Sequence, residues 1–384
     1  IGRDQTLFDD LYISGNHALC EAYQGKFPVV SLSLKGINGT TYEEARRFLV
    51  KTINEEARRL SLLSSSENLD EADLELFDQL RRKDMTNDSL VYSIRELTEL
   101  LEKHYGEKVI VLIDEYDVPL AKANENGYYD EMVLLLRNLF ENGLKTNNSL
   151  KFAILTGCLR VAKESIFTGT NNLVSDTIQS THLNEYFGFT QADVDQILSD
   201  FHFERNKTLI KSWYDGYHFG DFDVYCPWDV MNYIRDLKID PSARPSSYWK
   251  NTSDNAIIRS FIDFAGGNIT RKLESLLSGG YIIQRVDDML TYDYLHSSED
   301  NLWSVLYLTG YLTSVRDEAI AGDIPEGTSA LMIPNEEIRE IFETTIMKWF
   351  DDTAKGWNRS RLFNAVWTGD ADAVTEEMTK LLRK

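Results

Sequence analysis

The chain has 384 residues, a length suited to two or three domains rather than one. Its 42% hydrophobic and 27% charged residues are those of an average globular protein, which excludes intrinsic disorder, and no apolar run approaches the ~18–20 residues that cross a bilayer. Lys and Arg total 40 against 62 Asp and Glu, a net charge of −22 that repels phosphate backbones and argues against a nucleic-acid grip spread over the whole chain.

The first third alternates strand and helix patterns. Phe27 to Leu34 (FPVVSLSL) has the β-branched density of a buried strand. Thr40 and Thr41 stand three residues before Glu43 and Glu44, a capping box that opens a helix running towards Leu62. Ser64 to Asp70 reads as loop, and the acidic run Glu67 to Glu75 as a solvated face. Asp88 to Tyr105 is a helix with Leu90, Ile94, Leu97 and Leu101 on one face, stopped by Gly106. The strand VIVLID comes next, then a helix from about Tyr129 to Leu144 and the strand KFAILT, Lys151 to Thr156. Apolar strands separated by long helices predict βαβ crossovers, a parallel sheet and a three-layer α/β core.

After about Phe189 helical patterns dominate, with aromatic clusters at Trp213-Tyr214, Tyr217, Trp228 and Tyr248-Trp249. The stretch Asp240 to Ser247, carrying Pro241 and Pro245, marks an internal boundary. From Ala256 onward helices are expected, with a strand pair at Gly280 to Val286 and Tyr311 to Val315 and a short strand at Leu331 to Ile333.

The strongest site signal is VIVLIDEYDVPL, Val109 to Leu120, where five apolar residues end in Asp114-Glu115. In P-loop NTPases a carboxylate at the tip of such a strand holds Mg²⁺, directly or through water, and a Glu next to it polarises the attacking water. The strand tip is where the chemistry needs them, because it faces the crevice that takes the phosphates. A buried strand ending in an acidic turn is the plainer alternative. The next strand also ends in a polar residue, Thr156, placed to sense a γ-phosphate. Arg160 lies just beyond, as a phosphate contact or, more simply, a helix-start salt bridge. Tyr116 is expected to pack, Asp117 to cap or turn, and Cys158 to be a small buried hydrophobe. Asp215 and His218 in WYDGYHFG read as part of a packing motif in which Gly216 and Gly220 supply bends.

The six histidines form no HxxxH or HxH pair, and no GxSxG occurs, which leaves out the common transition-metal and α/β-hydrolase patterns. Cys20, Cys158 and Cys226 lie far apart, neither a disulfide framework nor a zinc pattern, so a reducing cytoplasm is the expected setting.

Several strings together resemble the bacterial AAA-ATPase-like family, whose members often carry a C-terminal PD-(D/E)XK nuclease-like domain. They are GKFPVVSLSLKG (Gly25 to Gly36), VIVLIDEYDVPL, LTGCLRVAKESIFTGTNNL (Leu155 to Leu173), YFGFTQADV (Tyr186 to Val194), WYDGYHFG (Trp213 to Gly220), VYCPWDVMNYI (Val224 to Ile234) and YWKNTSDN (Tyr248 to Asn255). The resemblance implies a P-loop NTPase-like fold, with ATP and Mg²⁺ as ligands, Asp114 and Glu115 as Walker B carboxylates and Thr156 as the sensor-like strand end. No GxxxxGK[ST] occurs in these 384 residues; LFDDLYIS (Leu7 to Ser14) is similar to the stretch after the family's P-loop helix, so the P-loop and its strand are expected upstream. Cys226 and Asp254 depart from the family's commoner Asn and Gly.

The expected organisation is a partial α/β core over 1–188, a helical aromatic-rich extension over 189–256, and a mainly helical segment over 257–384 leading to a nuclease-like domain beyond it. The expected function is ATP binding and hydrolysis that regulates that domain, with DNA reached only through it. Protein partners or self-association fit the aromatic clusters. The other reading is a nucleotide-independent scaffold.

Overall fold

A computed structural model of the chain describes residues 6–159, 173–249, 267–287, 290, 292, 298–355 and 359–382. The chain divides into two compact units, Ile1–Ser175 with Asp287–Asn301, and Asp176–Val286 with Leu302–Lys384.

In the first unit, the described elements are α1 (His17–Tyr23), β1 (Val29–Ser33), α2 (Tyr42–Arg59), α3 (Glu71–Leu80), α4 (Asn87–Tyr105), β2 (Val109–Asp114), α5 (Val118–Asn126), α6 (Tyr129–Leu144) and β3 (Leu150–Leu155). The three strands pair in parallel in the order β1-β2-β3. The local signals act as expected. Thr41 caps α2 by accepting from the Glu44 amide at 3.3 Å, and Gly106 closes α4 at φ +72°.

Register decides which face is buried. Val30, Val111 and Ala153 form one row, and Leu32, Ile113 and Leu155 the next, both packed against the apolar faces of α2, α4 and α6. The opposite face carries Ser31, Leu112 and Ile154, with Phe152 beside them, and all four are exposed. Among the described residues the sheet therefore has one covering layer of helices, where a three-layer core was expected. The Tyr23 ring stands 6.3 Å from the ring of Phe152 on that face. The run VIVLI reads as buried on both faces because its alternation is hidden by residues that are all apolar. The outer edge of β1 is closed by side chains: Glu56 accepts from the Ser31 amide at 2.8 Å, and Arg59 donates to the Val29 carbonyl at 2.7 Å.

The acidic run is exposed as expected at Glu67, Asp70, Glu71 and Glu75, with Asp73 the exception. Asp70 and Asp73 form a capping box that starts α3, and Asp73 is buried against Lys103 of α4 at 2.5 Å. Acidic residues at a helix start serve the helix dipole and the cap, a role that composition alone does not distinguish from a free surface.

The second unit holds α7 (Gln191–Asp200), α8 (Lys207–Tyr214), the hairpin β4 (Tyr217–Phe219) and β5 (Phe222–Val224), α9 (Pro227–Ile239), α10 (Gly267–Leu277), β6 (Ile282–Gln284), the greater part of α11 (Glu299–Leu308), β7 (Thr313–Ser314), β8 (Ser329–Met332), α12 (Glu336–Lys355), α13 (Arg359–Thr368) and α14 (Ala371–Leu382). WYDGYHFG spans the end of α8 and β4. Gly216 adopts φ +98°, and a Cβ there would lie 2.1 Å from the Pro334 carbonyl oxygen, so only glycine fits. Tyr214, Tyr225 and Tyr233 are buried together beneath this turn.

The strands at Gly280 to Val286 and Tyr311 to Val315 form, but they are not each other's partners. Both β6 and β7 pair antiparallel with β8, which sits between them. Strands of two or three residues carry too little pattern to specify their neighbours. Leu302 to Tyr307 of α11 are all buried.

Candidate functional site

The site is built at the carboxyl ends of β2 and β3. Parallel pairing aligns the two strands, and alternation places Asp114 and Thr156 on the face that α2, α4 and α6 leave open. The Thr156 hydroxyl donates to Asp114 Oδ1 at 2.5 Å. The backbone reinforces the contact: the Thr156 amide donates to the Ile113 carbonyl at 2.9 Å and the Tyr116 amide to the Thr156 carbonyl at 3.0 Å.

Glu115 takes φ +56°, the left-handed region that a residue with a long side chain rarely adopts. Such a conformation costs of order 1 kcal/mol and persists where surrounding bonds over-determine it. Here the paired strand ends supply those bonds. The Glu115 carboxylate lies 4.0 Å from Lys35 Nζ, both partly in solvent, a contact worth little to stability. Lys35 lies just beyond β1, and nothing in its sequence surroundings singles it out.

Three of the four residues selected from sequence thus lie at neighbouring strand tips: Asp114, Glu115 and Thr156. Arg160 lies outside the described residues, as do residues 250–255 of YWKNTSDN.

Asp117 differs from expectation. It occupies the residue before α5, yet its side chain makes no capping bond. It turns back to the β3 exit, where Oδ1 accepts from the Cys158 amide at 3.2 Å and Oδ2 from the Leu159 amide at 2.9 Å. Tyr292, from the downstream stretch of the same unit, donates its hydroxyl to Oδ2 at 2.9 Å. Tyr116 packs as expected and also donates its hydroxyl to the Leu159 carbonyl at 2.7 Å. Both carboxyl-proximal turns are therefore stitched together. The signal in the sequence was the pairing of DEYD with TGCL, but no spacing rule connects segments 40 residues apart.

Gly157 makes this approach possible. A Cβ at 157 would lie 2.5 Å from Asp117 Oδ1 and 2.8 Å from the Tyr116 ring. Gly157→Ala is expected to destabilise the chain by about 1–3 kcal/mol, read as a lower urea midpoint with unchanged slope. A midpoint equal to wild type would show that the turn yields without cost.

Cys158 is not the buried hydrophobe that its neighbours suggested. The residue is exposed, yet desolvation by its surroundings, with the Asp117 and Glu115 carboxylates, pushes its thiol pKa up to about 11. At neutral pH it is a thiol, not a nucleophilic thiolate.

In the second unit, His218 pairs through Nδ1 with Asp223 at 2.5 Å, and Arg316 pairs with the same carboxylate. Asp215 instead stands within 3.8 Å of Lys211. Asp215 and His218 thus take different ion-pair partners. A cavity of about 220 Å³ lined by Tyr42, Asn87, Asp88, Val91, Glu131 and Leu134 among others includes none of the strand-tip residues.

An open parallel sheet with polar side chains converging at its carboxyl ends is the arrangement in which α/β proteins bind their ligands. Comparison with known proteins agrees with this class. Residues 2–167 match the family described as "Predicted AAA-ATPase". An uncharacterized protein encoded in the vnfD 5′ region of Azotobacter chroococcum mcd 1 is 31% identical over 148 residues. That stretch is 38% of this chain and 27% of the relative, so the chain spans a minor part of its relative's length. No solved structure matches.

The donor set suits Mg²⁺ bound with a nucleotide. Mg²⁺ is usually held by one or two carboxylates together with substrate phosphates, not by an all-protein cage. Asp114 offers a solvent-facing carboxylate with one oxygen already oriented by Thr156. Among the described residues no group of three or more acidic, His or Cys side chains could hold a metal by itself.

Proposed function

We propose that this chain carries the Walker B side of an ATP-binding and ATP-hydrolysing P-loop module. The observation that supports the reading is the Asp114–Thr156 hydrogen bond at adjacent parallel strand tips, with Glu115 beside it in a left-handed conformation. Asp114 would hold Mg²⁺, directly or through water. Glu115 would orient the hydrolytic water, and Thr156 would sense the γ-phosphate through the hydroxyl that now contacts Asp114. Bound Mg²⁺ would supply neutralisation of charge on the phosphates. In a longer protein, the ATP state would regulate an attached nuclease-like domain; the resemblance of the sequence strings is what supports that step.

The connection between β7 and β8 carries Asp317, Glu318, Asp323 and Glu326 against one Arg316, a balance that disfavours contact with a phosphate backbone.

A nucleotide-independent scaffold is favoured by a different observation, the exposed Leu112, Phe152 and Ile154 on the open sheet face. Calorimetric titration with Mg-ATP separates the two readings, using this chain beside a longer protein that carries upstream residues and a P-loop. Binding by the longer protein, lost in Asp114→Asn, is the expected result. No binding by either would leave the scaffold.

A further inference from the structure

The carboxylate of Asp117 is the most heavily committed polar group near the strand tips, and the proposed chemistry makes no use of it. It is 1% exposed and accepts three hydrogen bonds, from the Cys158 and Leu159 amides and from the Tyr292 hydroxyl. Two of these bonds fix the backbone two and three residues after Thr156. The third comes from a residue 175 positions away in sequence. Tyr292 is grouped with the first unit although the chain before Asp287 and after Asn301 is grouped with the second.

We infer that Asp117 is the positioning residue of the strand-tip site and that Tyr292 is the latch that holds it there, so that the Tyr292 hydroxyl controls how firmly Thr156 is set against Asp114. The effect on turnover rests on the ATPase reading; the clamp itself does not.

Three physical links join the clamp to the site. A buried carboxylate must have donors, and these are two main-chain amides and one hydroxyl, all fixed by the fold. Burial and the adjacent Asp117 charge hold the Tyr292 hydroxyl well above its usual pKa, so it remains a donor at all physiological pH values. The amides that Asp117 restrains lie two and three residues after Thr156, whose hydroxyl reaches Asp114, so slack at 158–159 becomes slack in the Asp114–Thr156 contact. Loss of Tyr292 leaves Asp117 buried with one donor fewer and loosens the turn without touching any residue proposed to meet nucleotide.

The test uses Asp117→Asn and Tyr292→Phe, with the full-length protein for turnover. Amide hydrogen exchange at Cys158 and Leu159 is expected to accelerate about tenfold or more in Asp117→Asn, and by less in Tyr292→Phe. Alkylation of Cys158, measured by mass spectrometry at pH 8.5, is expected to speed up in Asp117→Asn because a carboxylate charge beside the thiol is gone. In Tyr292→Phe, kcat for Mg-ATP is expected to fall several-fold with KM unchanged and the melting temperature close to wild type, a split that general destabilisation does not produce. Wild-type exchange rates at 158 and 159 in both variants would overturn the clamp. Faster exchange with unchanged kcat would overturn the positioning role. If Asp117→Asn fails to fold, Tyr292→Phe decides both points. A wild-type protein that neither binds nor hydrolyses ATP would remove the ATPase reading, while the exchange rates would still judge the clamp.

Discussion

Raising the pH from 5 to 9 is expected to weaken the second unit progressively, through two carboxyl groups buried in its core. Asp229 of α9 is 1% exposed and Glu337 of α12 is 0% exposed. Glu337 Oε1 accepts from the Trp249 amide at 2.8 Å, while Glu337 Oε2 and both Asp229 oxygens have no partner if both groups are drawn as carboxylates. The two side chains lie within hydrogen-bonding reach of each other and of Cys226. A single shared proton resolves the conflict by turning one group into a donor. Tyr214, Tyr217, Tyr248 and the Cys226 thiol surround the pair, and none of these supplies a positive charge. Burial therefore raises Glu337 to about 8, with the Asp229 charge adding to the effect, and Asp229 is raised as well.

In the unfolded chain both acids ionise near their ordinary values, so between about pH 4.5 and 8 the native state binds the extra proton. Stability from this group is fully present below the unfolded value and is lost as pH rises towards the folded one. One pKa unit corresponds to roughly 1.4 kcal/mol, so the loss across the window is of the order of a few kcal/mol. All seven tryptophans lie in the second unit's segments, so their fluorescence during urea unfolding reports that unit alone. The midpoint is expected to fall from pH 5 to 9, and Glu337→Gln is expected to flatten most of that fall. Asp215, also raised by burial, accounts for part of the remainder. A midpoint that rises or stays level in the wild type would refute the shared proton.

Replacing Glu115 should separate chemistry from stability at the strand tip. In the longer protein, Glu115→Gln is expected to lower ATP turnover by about a hundredfold or more while Mg-ATP binding persists, the loss typical of a missing general base. Glu115→Asn is expected to lose turnover too, yet to gain up to about 1 kcal/mol of stability, because Asn tolerates the left-handed conformation that Glu115 adopts at φ +56°. A residue that costs stability where it stands is explained by what its carboxylate does. Wild-type turnover in Glu115→Gln would remove the proposed role, and a less stable Glu115→Asn would remove the strain argument.

The residues of the site differ in how far they could be read from the chain alone. Asp114, Glu115 and Thr156 were legible because strand, helix and strand patterns each carry their own period, and parallel pairing brings successive strand ends together. Tyr292 and Lys35 were not, since neither lies in a segment whose local pattern marks it. Asp117 was visible as a turn residue, but its partners depend on how tightly the Gly157 turn approaches.

Local chemistry thus determined α2, α4 and α6, the caps at Thr41 and Gly106, the three apolar strands and the acidic tip of β2, because these features arise from propensity and periodicity within a few residues. Tertiary structure alone decided which face of an all-apolar strand is buried, that β8 stands between β6 and β7, that Asp117 serves the β3 exit instead of its own helix, and that Asp229 meets Glu337. Each of these depends on packing between segments far apart in sequence, where a carboxylate or a two-residue strand takes whichever partner the folded chain brings within reach.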